Sequence, residues 1–130
     1  MPAALIQVCV DNRLNHELLR IQVKQRLAAA YIQADRIFIL NELGGNLGQN
    51  FSNTARMLVN GGDRIVMAGV LHHDDCKAAQ AGLRRPLDET VAKTARLLTE
   101  LRLDCLLVSG QINTANNHIL WQDEQRIRPK

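Results

Sequence analysis

Aromatic residues are nearly absent from this 130-residue chain, which contains one Trp, one Tyr and two Phe. Proteins that bind single-stranded nucleic acid usually stack bases on aromatic side chains and follow the backbone with clustered cations. The net charge of +3 is modest, and the cations are scattered apart from short groups at residues 84–85 and 126–130. The composition therefore argues against nucleic-acid binding, and it implies a core built from Leu, Ile, Val and Ala.

Long apolar runs are also missing. Runs such as those at residues 37–40 and 105–108 are far shorter than the roughly 20 residues that cross a bilayer. The first seven residues lack the basic start and long apolar segment of a secretion signal. We therefore expect a cytoplasmic protein with no membrane partner. Its three cysteines, an odd number, are then more typical of metal ligands, nucleophiles or core residues than of disulfides.

Apolar runs rich in β-branched residues alternate with helical patterns along the chain. The runs predict strands at residues 4–11, 36–41, 64–71, 104–112 and 118–122, with the last two joined by a turn at 115–117. Fully apolar strands that alternate with helices indicate a mostly parallel sheet covered on both faces. We expect a single three-layer α/β domain over residues 1–130, with four or five strands and a C-terminal edge hairpin. Residues 123–130 are expected to form a polar tail.

Two helical segments carry apolar positions that predict their buried faces. The first runs from about residue 15 to residue 33, and the last begins near Pro86. The expected buried stripe of the first helix is Leu14, Leu18, Ile21, Ala28 and Ile32. The expected stripe of the last helix is Leu87, Val91, Ala95, Leu98 and Leu101. In the strand that follows, Cys105 is predicted to be a core residue.

Chemically reactive side chains concentrate at the ends of the first and third predicted strands. Residues 9–13 read Cys-Val-Asp-Asn-Arg, and residues 72–76 read His-His-Asp-Asp-Cys. Functional groups of parallel sheets gather where strands end, so a thiol from the first cluster and a His-x-x-Cys pair from the second could close on one metal ion. Sulfur and imidazole ligands with one position left for water are typical of catalytic zinc. Each residue alone would more often be structural, so the hypothesis depends on their occurring together.

These clusters resemble the β-class carbonic anhydrases. The motifs that carry the resemblance are Cys9-x-Asp11-x-Arg13 and His72-His73-x-Asp75-Cys76. Residues 39–41 followed by Gly44 and Gly45 resemble that family's Arg-Asn-Ala-Gly segment, and residues 108–110 resemble its last strand. The likeness extends over residues 4–122, but only the two cysteine-containing motifs are specific.

The resemblance implies a zinc enzyme that reversibly hydrates carbon dioxide to bicarbonate. Cys9, His73 and Cys76 would be the zinc ligands, with Asp11 and Arg13 as the paired catalytic residues that orient the water on zinc. Zinc lowers the pKa of its bound water to about 7, which supplies hydroxide at neutral pH. Arg13 would keep Asp11 ionised and correctly directed, or Asp11 would take the fourth position in a resting form. Carbonyl sulfide is an alternative substrate of the same kind.

The sequence also departs from the family pattern. Leu40 stands where the family usually has Arg, and Lys77 replaces the usual Gly after the second cysteine. The N-terminal helices that embrace the partner subunit in that family have no counterpart before the first strand. His72 is one residue out of register, so it is expected to neighbour the site without being a ligand. We also expect a homodimer or a higher homo-oligomer, because a small parallel sheet leaves an edge or a helix face for a partner.

A second resemblance leads to a different function. Residues 11–16, Asp-Asn-Arg-Leu-Asn-His, are similar to the Asp-Asp-Arg-Leu-Ile-His motif of the mannose-type phosphotransferase IIB subunit. His16 would then accept a phosphoryl group and pass it to a sugar. However, residues 17–19 are Glu-Leu-Leu where that family usually has Gly-Gln-Val, and that family has no use for Cys9 or Cys76. A non-catalytic α/β assembly protein is the remaining alternative.

Overall fold

The computed structural model describes residues 1–43 and 46–129 of the chain. The glycines at 44 and 45, which entered the family comparison above, lie outside the described residues. The elements are β1 (Pro2–Cys9), α1 (His16–Ala29), β2 (Arg36–Glu42), α2 (Gln49–Asn60), β3 (Arg64–His73), α3 (Lys77–Gln80), α4 (Leu87–Glu100), β4 (Cys105–Asn113) and β5 (His118–Ile127). None of the described helices is long and apolar enough to cross a membrane.

The strands form one sheet in the order β2-β1-β3-β4-β5. The pairs β1–β2, β1–β3 and β3–β4 are parallel, whereas β5 returns antiparallel to β4 through a short turn. This arrangement confirms the predicted α/β class with its C-terminal edge hairpin. The expected polar tail at 123–130 instead continues β5 as far as Ile127, because these residues pair with the first half of β4. Their polar composition reflects an edge strand that faces solvent.

Helices cover both faces of the sheet and give the molecule three layers. Residues of α2 and α4, including Phe51, Ala55 and Leu98, pack with one face of β1, β3 and β4. Residues of α1 pack with the opposite face. Cys105 is completely buried in the first of these cores, as predicted. Burial of this kind contributes roughly 1.5–3 kcal/mol for each large apolar side chain, which holds the strand ends in fixed positions.

The buried face of α1 differs from the sequence prediction. Leu19, Val23 and Leu27 face the sheet, whereas Leu18 and Ile21 are 43% and 49% exposed. The three buried residues are spaced by four, so they form one row along a helix that begins at His16 and ends at Ala29. The prediction was wrong for Leu18, Ile21 and Ala28, which are exposed because a second apolar row on this helix faces the sheet. Leu14 is buried and Ile32 is partly buried against the same core, as predicted. In α4 the prediction is confirmed, since Leu98 is buried and the other four positions are partly buried against the same core.

The observed buried face of α1 leads to a prediction about stability that compares two adjacent leucines. Leu19→Ala should lower the free energy of unfolding by about 2–5 kcal/mol, because it opens a cavity beneath a fully buried side chain. Leu18→Ala removes the same atoms from an exposed position, and it should change stability by less than about 1 kcal/mol. Urea denaturation of both variants measures the difference, and equal losses would show that the assigned face is incorrect.

Candidate metal centre

Two neighbouring strands end at the same edge of the sheet and place the reactive side chains there. β1 ends at Cys9 and β3 ends at His73, and the two strands run parallel with Gln7 opposite Val70. After β3 the chain turns through residues 74–76 and enters the short helix α3 at Lys77. Cys76 therefore lies directly before α3, next to the end of β1. The parallel pairing brings together side chains that are 67 positions apart.

Cys9, His73 and Cys76 form a compact buried group. The two sulfur atoms are 3.8 Å apart, and one ligand atom from each of the three residues lies within 4.8 Å of the others. The residues are only 4%, 1% and 3% exposed. Two sulfur ligands on a tetrahedral zinc ion, with bonds of about 2.3 Å, would be separated by about 3.8 Å. The sulfur spacing therefore fits a shared metal ion.

The imidazole of His73 is oriented by the backbone of the next residue. Its Nδ1 lies 2.7 Å from the carbonyl oxygen of Asp74, which can only accept, so Nδ1 carries a proton and Nε2 is the nitrogen available to a metal ion. Nε2 is buried and has no hydrogen-bond partner among the described residues. It lies 3.7 Å from Oδ2 of Asp11, whose negative charge would attract a cation to this point. A metal ion bound at Nε2 would supply the partner that this buried nitrogen lacks among the described residues, which is a second reason that the group fits a metal ion.

Asp11 and Arg13 form a two-point ion pair beside this group. Arg13 donates from Nη2 to Oδ2 of Asp11 at 2.7 Å and from Nε to Oδ1 at 3.0 Å. These hydrogen bonds lower the pKa of Asp11 from 3.8 to about 2, against the opposing effect of its burial. Asp11 is therefore ionised throughout the neutral range, and the pair fixes the direction in which its carboxylate points.

Arg13 also contacts the segment that carries Cys76. Its Nη1 donates to Oδ2 of Asp75 at 3.0 Å, and its Nη2 donates to the backbone carbonyl of Asp75 at 2.9 Å. Asp75 has a φ of 50°, a conformation that few residues other than glycine adopt. Arg13 thus ties the segment after β1 to the turn after β3. The sequence analysis paired Arg13 with Asp11 alone. The spacing of the motif gave no indication that Arg13 also contacts Asp75.

His72 lies next to this group but differs from His73 in its surroundings. It is buried, its Nε2 has no hydrogen-bond partner among the described residues, and burial lowers its pKa to about 4. Arg84 lies close enough to reinforce that lowering, and it donates to the backbone carbonyl of His73 at 2.9 Å. His72 is therefore neutral at physiological pH and does not join the Cys-His-Cys group. The sequence analysis named Arg84 only as part of a short group of cations and gave it no role at this site.

An open pocket of about 500 Å³ lies in front of Cys9 and the Asp11–Arg13 pair. The apolar side chains of Val10, Leu43 and Leu83 are exposed at its mouth. Lys77, which stands where the resembled family has Gly, also lines the pocket. A larger groove of about 630 Å³ between α4 and β5 has no Cys or His in its lining. Of these two pockets, the smaller is the one lined by Cys9, Asp11 and Arg13.

Two further residues from the sequence analysis lie outside this group. Leu40 is partly buried and packs against the core beneath α2 and α4. His16 is the first residue of α1, and its Nε2 lies 3.2 Å from Oδ1 of Asn41. It is not part of the Cys-His-Cys group, so the phosphocarrier hypothesis remains a prediction that rests on the sequence motif alone.

Comparison with known proteins supports the fold. No protein-family model matches the chain, and no curated protein matches it in sequence. Among solved structures, the chain is similar to a carbonic anhydrase from Streptococcus mutans, with a TM-score of 0.57, 16% identity, and coverage of 92% of this chain and 81% of that one. It is also similar to a carbonic anhydrase from Glaciozyma antarctica, with a TM-score of 0.50, 16% identity, and coverage of 91% and 80%. At these identities the comparison shows a carbonic-anhydrase-like fold.

The Asp11–Arg13 pair should make stability depend on pH in the acid range. The pKa of Asp11 is lower in the folded protein than its ordinary 3.8, so the pair stabilises fully above about pH 4 and loses this effect as the pH falls towards 2. Because Arg13 is 36% exposed, solvent screening reduces the contribution of the pair to stability. Unfolding of the wild type and Asp11→Asn, both metal-free, should differ at pH 6 and converge near pH 2. A difference that stays constant with pH would contradict this prediction.

Proposed function

We propose that this chain is a zinc-dependent enzyme that reversibly hydrates carbon dioxide. The observation that carries the proposal is the meeting of two thiols and one imidazole beside an ionised aspartate, with Cys9 and Asp11 lining one pocket. The carbonic-anhydrase-like fold is consistent with it. The donor set suits zinc in particular, because sulfur and nitrogen ligands select it over magnesium and calcium, which prefer oxygen.

Cys9, His73 and Cys76 would hold the ion. When bound there, zinc lowers the pKa of water to about 7 and so supplies hydroxide at neutral pH. The two cysteines would bind as thiolates and His73 would bind through Nε2, since its Nδ1 donates to the carbonyl of Asp74. That hydrogen bond fixes the plane of the ring. Three protein ligands would leave a position for water, as in catalytic zinc sites.

Asp11 and Arg13 would orient the attacking water. Asp11 is ionised at neutral pH, so it can only accept a hydrogen bond, and it would direct the water by accepting a hydrogen bond from it. Arg13 occupies both carboxylate oxygens with separate donors and keeps the group from rotating. With Oδ2 only 3.7 Å from Nε2 of His73, the carboxylate is also close enough to take the fourth ligand position in a resting form.

The pocket suits a small neutral substrate and an anionic product. Val10, Leu43 and Leu83 give its mouth an apolar surface that a neutral molecule such as carbon dioxide can enter without losing hydrogen bonds to water. Lys77 places a cation in the same lining, where it attracts bicarbonate in the reverse reaction. Carbonyl sulfide has the same linear shape and lack of charge, so it is the natural competing substrate to assay.

Metal analysis of the purified protein tests the ligand set. We expect about one zinc per chain in the wild type, no stoichiometric zinc in His73→Ala, and zinc retained in His72→Ala. The two variants are matched, because they remove the same side chain from adjacent buried positions of β3. A wild type that remains metal-free after incubation with zinc would contradict the proposal and favour the phosphocarrier or the assembly protein.

A second measurement separates catalysis from metal binding. Asp11→Asn keeps the shape of the side chain but removes its charge, so hydration of carbon dioxide should fall by roughly 10- to 100-fold with zinc content near that of the wild type. Stopped-flow assays with carbon dioxide and with carbonyl sulfide show which substrate is used. Loss of zinc together with activity would show instead that Asp11 mainly supports the metal site.

We also propose that the chain forms a homodimer through the open edge of β2. β2 pairs with β1 alone among the described strands, and residues 37–40 of this edge strand are apolar and only half-buried. An apolar strand at the edge of a sheet tends to pair with another chain. Light scattering should give a mass near 29 kDa, twice the 14.5 kDa of one chain. A fully active species of 14.5 kDa would show that one chain completes the pocket.

A further inference from the structure

The turn between β4 and β5 is hydrogen-bonded to the segment that carries Asp11 and Arg13. Asn117, the last residue of this turn, accepts from the backbone N–H of Asn15 through Oδ1 at 2.8 Å. Its Nδ2 donates to the backbone carbonyl of Arg13 at 3.1 Å. One amide therefore holds both ends of the short stretch 13–15. Asn117 is only 7% exposed, so these hydrogen bonds are shielded from water.

The same turn also contacts the second ligand-bearing segment. The backbone N–H of Thr114 donates to Oδ1 of Asp74 at 2.8 Å, and the N–H of Asp74 donates to the carbonyl of Ile112 at 3.3 Å. Asp74 stands between His73 and Asp75, the residue that receives the guanidinium of Arg13. The turn is thus hydrogen-bonded to both segments that contribute residues to the candidate metal centre.

The turn is itself fixed to the body of the protein. Gln22 of α1 donates from Nε2 to the backbone carbonyl of Asn117 at 2.6 Å and accepts from the N–H of Ile119 through Oε1 at 2.8 Å. The N–H of Asn117 closes the turn by donating to the carbonyl of Asn113 at 2.7 Å. The position of Asn117 is therefore set by α1 and β4, and it can impose that position on the residues it holds.

We propose that Asn117 is a positioning residue for the metal centre, an inference that rests on the proposed function. By fixing the backbone of Arg13, it sets the point from which the guanidinium reaches Asp11 and Asp75 together. Asparagine meets both requirements of the position. Its side chain offers a donor and an acceptor at once, and its backbone tolerates the observed φ of 59° better than most residues do.

Asn117→Gly tests the proposal, because glycine accepts the positive φ and removes only the amide. Ile127→Val is the control. It trims a buried side chain paired with Cys105 at the opposite end of the β4–β5 hairpin, so it lowers stability without touching the site. Zinc affinity is measured by competition with a chromophoric chelator, well below the melting temperature of either variant. We expect roughly tenfold weaker zinc binding in Asn117→Gly and unchanged binding in Ile127→Val.

A second readout needs no metal. In the zinc-free protein, Nε–H of Arg13 donates to Asp11, and NMR-detected hydrogen exchange of this proton reports that contact. The exchange should be faster in Asn117→Gly than in the wild type and in Ile127→Val. If the wild type binds no zinc, the proposed function fails, and faster exchange of this proton still supports the positioning role.

Two results would overturn the inference. One is Arg13 exchange in Asn117→Gly equal to that in Ile127→Val, which would limit Asn117 to a general role in stability. The other is a wild type that binds zinc while Asn117→Gly binds it with the same affinity.

Discussion

The parallel pairing of β1 with β3 is the constraint on which the candidate site depends. Because the two strands run in the same direction, Cys9 and His73 end at one edge of the sheet, and the turn after β3 returns Cys76 to the end of β1. A shift of one residue in this register would turn the side chains of one strand to the opposite face. The apolar cores on both sides of the sheet oppose such a shift, since each would lose its buried residues.

Charge balance at this edge depends on Arg13. Three acidic residues, Asp11, Asp74 and Asp75, lie close to two cysteines that would carry negative charge as metal ligands. Arg13 binds two of these acids directly, and the backbone of Thr114 donates to the third. The unusual backbone of Asp75 persists because its carboxylate is held by both Arg13 and Gln80. A divalent cation at the centre would offset much of the remaining repulsion.

Leu40 and Lys77, the two departures from the pattern of the resembled family, change the surroundings of the Cys-His-Cys group. They leave its three metal-donor residues in place. Leu40 packs into the core beneath α2 and α4, so the position usually held by Arg contributes an apolar contact there. Lys77 adds a cation to the pocket lining at the start of α3. The substitutions therefore affect what enters and leaves the pocket more than what could bind within it.

Local patterns in the sequence were sufficient to predict the fold class and the strand ends at which reactive side chains lie. Apolar strands alternating with helices imply a parallel sheet, and a parallel sheet places its functional groups beyond the strand ends. The clusters around Cys9 and His73 could therefore be related to each other from sequence alone. The edge hairpin followed from the turn signals before His118. These properties depend on residues that are close in the chain, so a single sequence contains them.

The tertiary structure decided which of two apolar rows on α1 is buried, how far β5 extends, and which residues support the candidate site. Leu18 and Leu19 are equally apolar, and only packing against the sheet distinguishes them. The contact of Arg13 with Asp75 spans 62 positions, and that of Asn117 with Arg13 spans 104. A hydrogen bond between distant residues leaves no periodicity in the chain, because it depends on where the folded backbone brings them together.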